Sequence, residues 1–268
     1  MSKNMDVSKR KQSIIAGGLI SSAGIFFAKF IGLFYAVPYN SMLGTADNLA
    51  YYGVAFNIYY YLLNICTAGF PFAIATLIAK YSTRGDYQTS LLIKKLSASL
   101  MTCFGFGMMI IVILFSSPLA ALVMPDEGDS VKTMQMVLIL ISFALFFVPL
   151  LSSIRGFYQG LKHMEIYALS QVLEQVARVA FLLSASAIAV YALHTDQVWA
   201  LYFGVISTSI SAILAIMHLK LYDKKQMREL KRLAKTQEVA GNNDRREILK
   251  ELVFIAFPYL IVAILGYS

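Results

Sequence analysis

Residues 108–115 read Met-Met-Ile-Ile-Val-Ile-Leu-Phe, apolar side chains in unbroken succession. A membrane-spanning β-strand alternates apolar and polar positions over about 10 residues, so this run excludes a barrel strand and predicts a helix. It sits in an apolar stretch from about 95 to 123, longer than the about 20 residues a helix needs to cross a bilayer. Comparable stretches recur at about 13–37, 51–79, 133–154, 164–191 and 197–219, and a seventh opens near 247 and continues to Ser268. The expected fold class is an all-α polytopic membrane protein.

Composition agrees. The 268 residues are 58% hydrophobic and 14% charged, against roughly 45–50% and roughly 25% in average soluble chains. That balance excludes an ordinary soluble enzyme, a disordered chain and a DNA-binding domain, so no nucleic-acid partner is expected. Cys66 and Cys103 both lie inside apolar stretches, which implies neither a disulfide framework nor a zinc site. The run after Lys11 is too long for a typical signal-peptide core and lacks a small-residue cleavage site, so the first helix reads as retained.

The net charge of +8 is distributed by side. Lys3, Lys9, Arg10 and Lys11 precede the first span. Lys80, Arg84, Lys94 and Lys95 fall in the second connection, Arg155 and Lys162 in the fourth, and ten more Lys and Arg between Lys220 and Lys250. The alternate connections hold Asp47, Asp126, Glu127, Asp129 and Asp196, opposed only by Lys132. Twenty of the 23 basic residues thus share one side. The positive-inside rule makes that side cytoplasmic and places the amino terminus there. The expected location is a membrane crossed several times, with the basic side facing the cytoplasm.

Three units follow: a six-helix lobe over 1–219, a basic cytoplasmic segment over 220–246, and the start of a seventh helix over 247–268. Within the basic segment, Leu221, Met227, Leu230 and Leu233 have near-helical spacing among lysines and arginines. The pattern predicts either a solvated loop or an amphipathic helix on anionic lipid at 220–235. Gly241-Asn242-Asn243 reads as a turn, and Asp244 with Glu247 reads as a capping box for the seventh helix.

Ionisable residues inside a span are costly and usually face the bundle interior or a watery cavity. Three qualify by position: Lys29, Glu174 and Arg178. Gln171, Glu174, Gln175 and Arg178 form one helical stripe, with the acid four residues before the arginine in the favourable order. Asn57, Tyr60, Asn64 and Thr67 form a second stripe, leading to Pro71. Two accounts remain open for Glu174–Arg178, a neutralised pair that glues helices or a functional pair in a hydrated cavity. Lys29 likewise either lines that cavity or reaches toward the interface. Pro71, Pro149 and Pro258 are expected to bend helices around such a cavity. No catalytic or metal-binding residue is expected. His163, His194 and His218 stand far apart, and no G-x-x-x-x-G-K-[ST] pattern or cofactor motif is present.

Two segments carry a family resemblance. One runs Gly32-Leu-Phe-Tyr-Ala-Val-Pro-Tyr-Asn-Ser-Met-Leu-Gly44, then Tyr52–Tyr59 and Ala68–Ala75; the other joins Arg155-Gly-Phe-Tyr-Gln-Gly160 to Ser170-Gln-Val-Leu-Glu-Gln-Val-Ala-Arg178. Together they resemble the polysaccharide biosynthesis and export proteins of the multidrug/oligosaccharidyl-lipid/polysaccharide (MOP) exporter superfamily. The branch most similar is that of the stage V sporulation protein B-like proteins and lipid II flippases. The resemblance implies about fourteen helices in two six-helix lobes plus two more, with alternating access to a central cationic cavity. This chain would supply the amino-terminal lobe and the start of helix seven, and would need a carboxy-terminal lobe as partner. Flippases of the Gram-negative type place two arginines six residues apart on helix one; here Lys29 matches the first and Tyr35 occupies the second.

The implied substrate is an undecaprenyl-pyrophosphate-linked saccharide, lipid II or a relative, moved without a bound cofactor and driven by a coupling ion or the membrane potential. Lys29 and Arg178 would neutralise phosphates, Glu174 would release or pair Arg178, take a proton or couple to a cation, and Asn57, Asn64, Gln171 and Gln175 would bond sugars. The alternatives are a cation-coupled multidrug exporter of the same superfamily and a non-transporting scaffold for cell-wall enzymes.

Overall fold

Within the described residues the long apolar stretches form helices, as they must where no water is present to satisfy backbone N–H and C=O groups. The computed structural model describes residues 19, 22–124 and 128–266. The expected start of the first span near 13, the basic cluster Lys3 to Lys11, and Asp126 with Glu127 lie outside the described residues. Among those described, no strand occurs, and seven helical segments are long and apolar enough to cross a membrane.

Helix α1 spans Ser22–Leu43, with a turn at Tyr35. Gly44, at φ 72°, ends it; Thr45 then caps α2 (Ala46–Thr67) by accepting a hydrogen bond from the Asn48 backbone N–H. The expected second span of about 51–79 is in fact two helices, because the chain breaks at Ala68-Gly69 before α3 (Phe70–Thr83). Pro71 therefore bends nothing; it occupies the first turn of α3, where its missing N–H costs no helical bond.

Asp86 caps α4 (Tyr87–Leu114), and a short α5 (Ser116–Val123) follows. Helix α6 (Asp129–Gly160) contains Pro149, α7 (Met164–Ala187) runs on into a π-turn at Ile188–Ala192, α8 covers Val198–Thr236, and α9 (Arg245–Leu265) contains Pro258.

Helices α6 and α8 bury the largest share of their residues, and α6 packs on α3, α4 and α8, while α7 lies along α8. Between lipid-solvated helices there is little hydrophobic driving force, so close packing of small residues does the work. Gly156 and Gly160, one turn apart on α6, face α3: a Cβ would lie 2.8 Å from the Pro71 carbonyl oxygen at the first and 2.7 Å from that of Ala75 at the second. Pro149 removes the N–H that would bond the Leu145 carbonyl. Gly105 of α4 approaches that same oxygen so closely that a Cβ would lie 2.5 Å from it. Large apolar side chains such as Phe26, Phe34, Leu114, Leu122 and Phe254 point outward, as suits a bundle solvated by lipid.

The basic segment differs from expectation. Residues 220–236 do not form a separate loop or a helix lying flat; they continue α8, 39 residues long and so about 58 Å end to end. Leu230 of its far half is buried in the same core cluster as Ile248 and Leu252 of α9, and Ala234 is buried as well, so that apolar face serves the protein interior. The following turn is tied down. Gln237 accepts from the backbone N–H groups of Tyr87 and Gln88, and Thr89 Oγ1 accepts from the Asn242 backbone N–H at 2.7 Å. Asp244 caps α9 through the Arg246 and Glu247 N–H groups. Glu247, however, accepts from the Asn242 side chain and not from the Asp244 backbone, so the expected box closes through Asn242.

Candidate functional site

Where α1, α6 and α7 meet there is a cavity of about 270 Å³. The small residues Ala28 and Gly32 let α1 come close to α7, and a Cβ at Gly32 would lie 3.1 Å from Gln175 Nε2. Lys29 stands on the same face of α1 and lines the cavity. From α7 come Gln171, Glu174 and Gln175, consecutive members of one stripe because residues three and four apart share a helix face.

The decisive contribution comes from α6. Arg155 lines the cavity, and its Nη1 lies 2.8 Å from Glu174 Oε2. The other carboxylate oxygen, Oε1, lies 2.9 Å from Arg178 Nη2. Glu174 is thus shared by two guanidiniums, and its side chain is only 12% exposed, as is that of Arg155. Arg155 Nε also donates to Ser170 Oγ at 2.8 Å, which fixes the plane of the guanidinium. Two donors remain unspent: Arg155 Nη2 and Arg178 Nε are buried with no hydrogen-bond partner among the described residues. The site carries three cations against one acid.

Charge-pattern reasoning placed Arg155 in a cytoplasmic connection; the structure places it inside α6, five residues before the helix ends at Gly160. The available signal was its neighbour. Gly156 and Gly160 have the spacing of a close helix–helix contact, which makes Arg155 helical and sets it beside the bundle axis. The resemblance-bearing run Arg155-Gly-Phe-Tyr-Gln-Gly160 therefore combines a packing face with one cation.

Of the expected site residues, Lys29, Gln171, Glu174 and Gln175 line one cavity, and Arg178 joins it through Glu174. Asn57 and Asn64 do not line it; Asn57 is exposed on α2 and Asn64 is half-buried. Gln171 donates to the Tyr167 hydroxyl at 3.0 Å and so is held within its own helix. Tyr35, Tyr59 and Tyr60 lie close enough to Arg178 to interact with it electrostatically. Lys29 makes no ion pair among the described residues. No group of three or more His, Cys, Asp and Glu among the described residues is placed to hold a metal ion.

Comparison with known proteins agrees with this architecture. Residues 14–267 match the family model described as Polysaccharide biosynthesis protein. The lipid II flippase MurJ of Bacillus subtilis strain 168 is 31% identical over 257 residues, covering 94% of this chain and 46% of the relative. Stage V sporulation protein B of the same organism is 28% identical over 171 residues, 63% of this chain and 32% of the relative. The chain thus spans half or less of the length of these curated relatives. Among solved structures, the outward-facing conformation of a multidrug resistance MATE family transporter of the MOP superfamily superposes with TM-score 0.69 at 16% identity, covering 92% of this chain and 52% of that one. At that identity the likeness shows the fold.

Proposed function

The chain belongs to the polysaccharide biosynthesis protein family, in the flippase branch of the MOP superfamily, and from that membership and its cavity we propose that it forms one lobe of a flippase for a polyprenyl-diphosphate-linked saccharide. Lipid II, the peptidoglycan precursor, is the substrate that best fits the similarity to MurJ. On this proposal the protein works in a bacterial cytoplasmic membrane with its basic side cytoplasmic, and a second lobe supplies the opposite wall of the cavity. Movement is by alternating access, driven by an ion gradient or the membrane potential.

One observation carries the proposal: Glu174 is clamped between Arg155 and Arg178 while Lys29 lines the same cavity. A site with three cations and one acid attracts anions and repels the cationic substrates of a drug exporter. A diphosphate is anionic, and guanidinium forks offer it paired, charge-assisted hydrogen bonds that a lysine ammonium cannot. The unspent N–H groups of Arg155 and Arg178 are the donors it would take first. As phosphate oxygens arrive, they compete with Glu174 for the arginines, so the carboxylate acts as a stand-in anion in the empty cavity. With both of its oxygens engaged by arginine, Glu174 serves in that role in preference to ligating a coupling cation. Gln171 and Gln175 lie on the same wall, within reach of the sugar hydroxyls.

Substitution of Lys29, Arg155 and Arg178 by Ala, singly and together in the full-length protein, tests the proposal against lipid II accumulation at the outer leaflet. Each single change is expected to slow flipping and the triple change to abolish it. Unchanged flipping in the triple variant would refute the cavity assignment.

A further inference from the structure

A second feature lies outside the cavity, on the opposite side of α7. Helices α7 and α8 enclose an open apolar groove of about 540 Å³, with Leu169, Val172 and Val176 on one wall and Leu214, Met217 and Leu221 on the other. All but Val172 of these are exposed. Along α8 the groove gives way to a basic pocket of about 290 Å³ formed by Lys220, Lys224, Arg228 and Lys231.

The two are one continuous stripe. At about 100° per residue, Lys224 and Arg228 lie about 20° either side of Met217 around the helix axis, two to three turns further on. The opposite face of the same helix, from Ala212 through Ile216 and Leu219 to Leu230 and Ala234, is buried in the core. The outward face of α8 therefore changes from apolar to cationic at about residue 220, near the end of its membrane-crossing part, Val198–Tyr222.

We propose that this groove and the basic stripe above it bind one anionic phospholipid of the adjoining leaflet, an acyl chain lying between α7 and α8 and the phosphate resting on Lys220 and Lys224. The dimensions match a leaflet-bound lipid. From Leu214 to Leu221 the groove runs about 10 Å along α8, within the about 15 Å of one half of a bilayer core. The charge matches as well, since four cations beside an apolar groove at the end of a span form a basic pocket suited to an anionic lipid headgroup. His218 also lines the groove, with its Nδ1 buried and without a hydrogen-bond partner among the described residues. This inference is independent of the flippase proposal, because none of these residues lines the cavity between α1, α6 and α7.

Native mass spectrometry of the full-length protein in detergent, titrated with phosphatidylglycerol and phosphatidylcholine of identical chains, tests it. The expected result is about tenfold tighter binding of the anionic lipid. The variant K220Q/K224Q/R228Q/K231Q, altered only at exposed positions or along the basic stripe, should lose most of that preference while keeping its binding of phosphatidylcholine. The variant L214A/M217A, which trims two exposed side chains from the groove wall, should weaken both lipids by a similar factor. A preference that survives the fourfold Gln change, or phosphatidylglycerol binding untouched by L214A/M217A, overturns the proposal. Tighter binding of a polyprenyl diphosphate probe than of phosphatidylglycerol, lost in the same two variants, overturns it in favour of a substrate-loading site.

Discussion

Replacing Glu174 by Gln probes the central arrangement most directly. The change keeps shape and volume but removes the one negative charge between Arg155 and Arg178. Both guanidiniums then remain in place, with side chains 12% and 19% exposed and no counter-ion. Breaking a buried ion pair from one side costs about 3–5 kcal/mol, mostly because the surviving charge stays desolvated. At about 2–4 °C per kcal/mol for a chain of roughly this size, the unfolding midpoint should fall by roughly 6–20 °C. The assay is thermal unfolding in detergent, followed by intrinsic fluorescence, with and without pyrophosphate. Pyrophosphate should stabilise the Gln variant more than the parent, because it no longer competes with the carboxylate. Neutralising all three residues in R155Q/E174Q/R178Q should cost less than E174Q alone, since no unpaired charge is left behind. A midpoint for E174Q within 2 °C of the parent, on about the same scale, refutes the shared-carboxylate account. So does a neutral triple variant less stable than E174Q.

Three further outcomes follow from the geometry. Gly160→Leu drives a side chain into Ile78 and the Ala75 carbonyl; it should cost about 1–3 kcal/mol or more, read as a lower unfolding midpoint and reduced recovery of folded protein. Lys29→Gln removes an exposed cation that makes no ion pair among the described residues, so stability should hold within about 0.5 kcal/mol while flipping falls, and a loss of stability comparable to that of E174Q would contradict its place in an open cavity. Asp86→Ala removes the cap on Thr89 N–H and the contact with Gln237 Nε2; it should cost about 0.5–2 kcal/mol and speed protease cleavage within residues 237–244.

The spans were legible because unbroken apolar runs admit one secondary structure in a membrane. The Glu174–Arg178 pair was legible from its spacing alone. Arg155 was not, because a charge count assigns any cation near a glycine-rich stretch to a connection. Gly156 and Gly160 look like turn formers, yet here they lie in the last turns of α6 and permit contact with α3. For the stripe of Asn57 and Asn64, periodicity shows that the residues share a face but not what the face meets, and neither lines the cavity. The break at Ala68-Gly69 has a local signal in Gly69, at φ 70°, followed by Pro71, but the packing against it has none: a Cβ at Gly69 would lie 2.6 Å from that of Tyr259 on α9. Nothing local in the sequence specifies that partner. By its near-helical apolar spacing the basic segment admits a solvated loop or an amphipathic helix on lipid, and that spacing does not show that Leu230 and Ala234 turn inward.

The three cations are not held alike, and the difference bears on how a lobe of this kind responds to an anion. Arg155 and Arg178 belong to α6 and α7 and are locked to one carboxylate, so the wall they form is fixed before any substrate arrives. Lys29 belongs to α1, which buries few of its residues and meets α7 through small side chains such as Gly24 and Gly32. Beyond the turn at Tyr35 the same helix is firmly anchored, with Tyr39 buried and its hydroxyl donating to the Ala200 carbonyl, and with Leu43 fully buried. A segment with few buried contacts shifts at low free-energy cost, whereas one packed into the core does not. On the proposed function, an anion bound between Lys29 and the arginines pulls chiefly on the Ser22–Phe34 part of α1 and shifts it only by the difference in its affinity for the two arrangements of that segment.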